Sequence, residues 1–84
     1  MLAQNYPNPF NPSTVISFTL PERVLVSLSI YNQLGQQVAV LLNGEKEAGS
    51  HTVTWNAGSL VSGVYFYEIK TGKYRAVKKL LLLK

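Results

Sequence analysis

The 84-residue chain contains no cysteine and no aspartate, and His51 is its only histidine. Without cysteine the chain forms neither a disulfide nor a thiolate metal site. Its four acidic side chains are all glutamates, whereas glycoside hydrolysis in its usual form needs two carboxylates that face each other across a cleft. Glycine-rich phosphate loops and the Gly-x-Ser-x-Gly nucleophile turn are absent as well. We therefore predict that the chain is not an enzyme and has no catalytic residue, metal site or cofactor.

Two features come closest to a catalytic site. Glu45 and Glu47 could face the same way, but they lie in the polar run 43–47, which is typical of a solvated turn. His51 begins a predicted strand, and a triad around it would need a glutamate as its acid. We interpret the two glutamates as surface residues and His51 as structural.

Charge is scarce and unevenly placed. Charged residues make up 14% of the chain, and the net charge is +4. Most basic side chains lie near the C-terminal end: Lys70, Lys73, Arg75, Lys78, Lys79 and Lys84. A basic end suits nucleic acid, anionic lipid or an acidic protein surface, but lysines also protect the edges of β-strands. Because no nucleic-acid-binding motif accompanies them, we favour the edge role and predict no nucleic-acid partner.

Long hydrophobic runs are missing too. The leucine run 80–83 is far shorter than the roughly 20 apolar residues that a membrane-spanning helix needs. Residues 1–12 have neither the basic start nor the apolar stretch of a signal peptide, so we expect an export sequence, if there is one, to lie upstream.

What the chain does contain is an alternation of apolar and polar residues with a period of two. A Pro- and Asn-rich lead-in (residues 1–12), which cannot be helical, precedes a β-rich region (residues 13–84). Turn signals separate six predicted strands, at 14–20, 24–31, 37–42, 51–55, 64–70 and 74–83. This spacing predicts an all-β, immunoglobulin-like antiparallel β-sandwich of six strands, or seven if part of the lead-in pairs.

The sequence also suggests which side chains form the core. We assign Trp55, Val64 and Phe66 to it, with Leu60 as the apolar anchor of the loop 56–63, and expect Tyr6 and Phe10 to pack on the sandwich. We predict that four glycines form turns: Gly35, Gly49, Gly63 and Gly72. An alternative use of the aromatics is a sugar-stacking platform of Trp55, Tyr65, Phe66 and Tyr67, but core packing is the more common role of such residues in a small sandwich.

Several segments, in order, resemble one known family. The lead-in motif consists of Asn5, Tyr6, Pro7, Asn8, Pro9, Phe10, Asn11 and Pro12, followed by 13–16. Next come 30–32 with 34–36 around Gly35, then Gly49 with His51 and Trp55, then Gly63, Val64, Tyr65, Phe66 and Tyr67, and finally the basic–leucine end 78–84. Together they resemble the type A C-terminal sorting domain of the type IX secretion system. A related resemblance, to the immunoglobulin-like domain of flagellar hook-capping proteins, implies the same architecture.

The resemblance implies a function without chemistry of its own. A cargo protein, covalently upstream, would enter the periplasm and fold there. The outer-membrane translocon would then recognise the sorting domain as a folded module and export the cargo to the outer-membrane surface or the medium. A sortase-like peptidase commonly cleaves such domains, at a point that would lie upstream or near Met1.

The C-terminal strand is our candidate for translocon recognition, and its residues are Lys78, Lys79, Leu80, Leu81, Leu82, Leu83 and Lys84. The pairs Leu80/Leu82 and Leu81/Leu83 point to opposite faces, and a sandwich buries only one of them. An exposed apolar edge with basic neighbours suits docking or strand addition, and also weak homodimer formation, unless a loop or the lead-in covers it. The alternative function is a structural or adhesive immunoglobulin-like domain, or a carbohydrate-binding domain, of a cell-surface protein.

Overall fold

A computed structural model describes residues 1–83 and places them in two antiparallel sheets. The strands are β1 (Ser13–Leu20), β2 (Val24–Tyr31), β3 (Gln37–Lys46), β4 (Gly49–Asn56), β5 (Gly63–Lys70) and β6 (Arg75–Leu82). Strands β1 and β4 form one sheet, and the other has the order β3-β2-β5-β6. The described residues contain no helix. The predicted all-β sandwich is confirmed.

The core lies between the two sheets and follows from the alternation along each strand. In β1 and β4, partners such as Ile16 and Val53 point inward, and in β5 and β6 the inward partners include Tyr65 and Leu80. Because successive residues of a strand point to opposite faces, every second side chain is buried. The buried apolar cluster draws on both sheets and extends to Leu60, which packs against it as predicted.

The lead-in forms bridges to both sheets. Its first half pairs with β1 through the bridges Leu2–Phe18 and Tyr6–Val15, and its second half pairs in parallel with β6 through Phe10–Leu82. Leu2 and Phe10 are buried in the core, whereas the Tyr6 side chain is 79% exposed. The expectation that Phe10 packs on the sandwich is confirmed, and that for Tyr6 is wrong, because only its main chain pairs.

Two other expectations about the strands are wrong. The third strand continues through Asn43 and Gly44 to Lys46, because the first half of β2 pairs with it there. Val64 and Phe66 are not core residues: they point away from it, while Tyr65 and Tyr67 on the same strand are buried. In a strand that is apolar on both faces, composition does not show which face is inside.

The turn between β2 and β3 depends on one glycine. Gly35 has a φ of +81°, a conformation that side chains with a Cβ rarely adopt. The Asn32 side-chain oxygen accepts hydrogen bonds from the amides of Leu34 (2.9 Å) and Gln36 (3.0 Å). Asparagine and glycine thus close this turn as the sequence predicts.

Candidate functional site

The lead-in occupies the C-terminal end of the outer edge of β6. The Phe10 amide donates to the Leu81 carbonyl oxygen (3.0 Å), and the Phe10 carbonyl oxygen accepts from the Leu83 amide (3.0 Å). The Asn8 side-chain oxygen accepts from the Leu81 amide (3.0 Å). An unpaired strand edge offers donors and acceptors to other strands, and these bonds satisfy several of them. The lead-in motif and the C-terminal strand, which are the first and last segments of the sequence resemblance, are therefore hydrogen-bonded to each other.

Asn5 fixes the lead-in by a buried polar network. Its side chain is only 3% exposed and donates to Thr14 Oγ1 (2.9 Å) and to the Pro7 carbonyl oxygen (3.1 Å). Its side-chain oxygen accepts from Gln4 Nε2 (2.6 Å), which also donates to the Lys79 carbonyl oxygen (2.8 Å). Asn5 lies in the family motif, but its burial was not predicted from the sequence. The signal in the sequence was the residue type, because an asparagine side chain commonly hydrogen-bonds the main chain of a nearby turn.

Tyr67 connects the other sheet to this network. Its hydroxyl donates to the Ala3 carbonyl oxygen (2.7 Å) and accepts from the Asn5 amide (2.9 Å). Burial raises the pKa of the Tyr67 phenol above its ordinary value of 10.0, against a smaller lowering by the Asn5 amide. The Tyr67 side chain is therefore neutral and buried beneath the lead-in. Its two hydrogen bonds hold the lead-in in place.

The aromatic side chains serve packing. The rings of Phe10 and Trp55 are tilted with centroids 5.7 Å apart, and Trp55 meets Tyr65 edge to face at 6.2 Å. Trp55, Tyr65 and Tyr67 are all buried. A sugar-stacking platform needs exposed rings, so this arrangement does not favour a carbohydrate-binding domain. The assignment of Trp55 to the core is confirmed.

The leucines of the C-terminal strand divide between core and surface. Leu80 and Leu82 are fully buried, Leu81 is half-buried, and Leu83 is 50% exposed. One pair is thus buried, as a sandwich requires. Through Leu83, Leu81 and the exposed Lys79, the strand presents side chains that a partner could contact.

The lysines of this strand lie on different faces. Lys79 is exposed on the outer face opposite Phe66, whereas Lys78 is half-buried on the inner face opposite Tyr67. An inward-pointing lysine near a sheet edge discourages pairing with other strands. Lys84, the last residue of the predicted recognition strand, lies outside the described residues.

The residues that came closest to catalysis have structural partners. Arg23 forms ion pairs with Glu45 (2.7 Å) and Glu47 (2.9 Å), and all three side chains are exposed. His51 stacks on Phe18 with ring centroids 5.3 Å apart, and its Nε2 lies 2.8 Å from the Glu47 carbonyl oxygen. Surface ion pairs of this kind contribute little to stability.

Within residues 1–83, no three metal-ligating side chains come together in a group that could hold an ion. The same residues form no helix of the length and hydrophobicity that crossing a membrane requires.

Comparison with known protein families identifies a match over most of the chain. The family described as "Secretion system C-terminal sorting domain" matches residues 4–83. The match begins in the lead-in, spans all six strands and ends at Leu83. No curated protein matches the chain.

Proposed function

Because the chain belongs to the family of secretion system C-terminal sorting domains, and is thus a C-terminal signal for type IX secretion, we propose that the outer-membrane translocon recognises it as a folded module. This proposal rests on the hydrogen-bonded contact between the lead-in and the C-terminal strand. Leu80 and Leu82 are fully buried, and the lead-in closes the edge beside them. A translocon that reads this strand therefore meets it as part of a folded domain.

The recognition strand then acts through the side chains that remain accessible. Leu83 and Lys79 are exposed and Leu81 is half-buried, so these residues contact the translocon, while Leu80 and Leu82 hold the strand in place. Strand addition to the edge at 81–83 does not occur while Phe10 is docked, because the amides and the carbonyl needed for it are already bonded.

Membership of the family supports a proposal about the wider partners. An upstream cargo protein travels with the domain, and the second partner is a sortase-like peptidase, of a kind that commonly cleaves such domains. The cargo ends on the outer-membrane surface or in the medium. The chain itself performs no catalysis and serves as a substrate of this machinery.

The experiment is an export assay in a bacterium that has this secretion system. A signal peptide and a fluorescent reporter precede the full 84-residue chain, and the reporter is quantified in the periplasm, on the surface and in the medium. Removing the last strand would unfold the core, so the test is Lys79→Glu with Leu83→Ser. The matched control makes the same two changes at exposed positions outside β6, as Lys73→Glu (side chain 88% exposed) with Leu25→Ser on β2 (64% exposed).

We expect export of the full chain and of the control, and retention of the β6 variant in the periplasm in folded form. Failure of the full chain to leave the periplasm, although it folds, would refute the sorting function in that host. If all three fusions are exported, the sorting function stands, but Lys79 and Leu83 take no part in recognition.

Weak self-association is a second proposal, supported by the edges of the sheets. The lead-in covers the C-terminal end of β6. The other outer strand of the same sheet is β3, which is ten residues long. We place a weak homodimer at this edge. Sedimentation equilibrium up to millimolar concentration should show dimers that Val40→Pro abolishes, and a chain that stays monomeric throughout would contradict it.

A further inference from the structure

The outer faces of the two sheets differ in character. The face of β1 and β4 carries small polar side chains, among them Ser17, Thr19, Ser50, Thr52 and Thr54. On the other sheet, an apolar patch occupies the outer face at the β5–β6 end, and its members are Tyr31, Val64, Phe66, Val77 and Leu81. An antiparallel sheet with one wet face is normally polar there, so this patch needs a different explanation.

The side chains of the apolar patch are held in place. Phe66 lies between its cross-strand neighbours Tyr31 on β2 and Lys79 on β6. The Tyr31 hydroxyl donates to Glu68 (3.3 Å), and Arg75 Nε donates to the other oxygen of the same carboxylate. Binding at Tyr31 therefore costs less side-chain entropy than binding a freely rotating side chain would.

The patch is open to solvent. Val77 is 44% exposed, and the other members are partly exposed. A shallow groove at the patch is lined by Tyr31, Phe66 and Val77. The ion pair of Glu68 and Arg75 also lines it. The lead-in does not fill this groove, because it bonds to the edge of β6 and sends its Phe10 ring into the core.

The charges around the patch identify the chemistry of a partner. All four glutamates are already in ion pairs, with Arg23, Lys73 and Arg75. Lys70 and Lys79 lie on the outer face with the patch, and neither is within 4.0 Å of a carboxylate of the described residues. Unpaired lysines beside an apolar surface complement a protein surface in which carboxylates border exposed apolar side chains.

We propose that this outer face, centred on Phe66, docks an acidic, apolar surface of a translocon protein; the inference rests on the sorting function proposed above. It places recognition on the face of β5 and β6 rather than on the strand edge that the lead-in covers. A membrane surface is the competing partner, and vesicle binding without a protein crosslink would indicate it.

The first test uses substitutions that keep strand propensity. Phe66→Thr in the full-chain fusion should reduce export at least about tenfold, the effect of losing a central contact residue. Leu25→Thr, at the far corner of the same outer face and 64% exposed, should leave export within about twofold. Trp55 fluorescence of the purified chains shows whether each variant folds.

The second test does not depend on substituting Phe66. A photo-reactive phenylalanine at position 77 should crosslink to a translocon protein, and the product should be missing in a strain without the translocon. The same probe at position 25 should give no such product. A crosslink at both positions or at neither would overturn the proposal.

The outcomes separate this inference from the function on which it rests. If the full chain is exported and folded Phe66→Thr is exported equally well, the docking face is refuted and the sorting function stands. If the full chain itself is not exported, both fail. Phe66-dependent binding of the purified chain to phosphatidylglycerol vesicles, without a protein crosslink, would overturn the proposal in favour of a lipid surface.

Discussion

Replacing Phe10 with alanine tests whether the lead-in is part of the fold or only a linker. The Phe10 ring is 2% exposed and packs against Trp55 with ring centroids 5.7 Å apart. Removing a buried phenylalanine typically costs about 3–5 kcal/mol. For 84 residues, a net stability of about 4–13 kcal/mol is typical, so this loss would be a large part of the total.

Tyr6→Ala is the matched control from the same motif. The Tyr6 side chain is 79% exposed, and its main-chain bonds to Val15 (3.0 and 2.9 Å) do not depend on the ring. We expect a change within about 0.5 kcal/mol, as for most surface substitutions.

The assay is urea unfolding followed by the fluorescence of Trp55, the only tryptophan. Phe10→Ala should lower the midpoint strongly and Tyr6→Ala should not. A loss below about 1 kcal/mol for Phe10→Ala, or equal losses for the two variants, would refute the packing of the lead-in on the core.

Three further predictions concern single residues. Asn5→Ala removes the buried amide that donates to Thr14, and urea unfolding should show a loss of about 1–3 kcal/mol; no change would contradict the network. Because burial raises the pKa of Tyr67, the unfolded chain releases that proton first as pH rises above 10, so stability should fall there, and Tyr67→Phe should reduce this fall in a pH series of unfolding curves. Gly35→Ala, at φ +81°, should cost about 1–2 kcal/mol, whereas Gly44→Ala, with open space and no positive φ, should be nearly neutral; equal effects would contradict the turn geometry.

Much of the fold could be predicted from alternation alone. The second strand has the predicted bounds, 24–31, because its apolar residues alternate with serines and turn residues flank it. The division between Leu80/Leu82 and Leu81/Leu83 also followed from the period of a strand.

The remaining features depend on partners distant in the chain. The third strand extends through Asn43 and Gly44 because β2 pairs with it, although the dipeptide itself favours a turn. The inner face of β5 is set by Tyr67, whose hydroxyl is bonded to Ala3 and Asn5 more than sixty residues away. The sequence supplied the resemblance of the two chain ends, and the structure revealed their hydrogen-bonded contact.

The central claim is that the translocon exports cargo because it recognises this folded chain. The most direct measurement is the fraction of the full-chain reporter fusion outside the periplasm, compared between a parental strain and one that lacks the translocon. The account predicts export only in the parental strain, with folded fusion held in the periplasm of the other. Equal amounts of exported fusion in both strains, or none in either while the domain is folded, would contradict it.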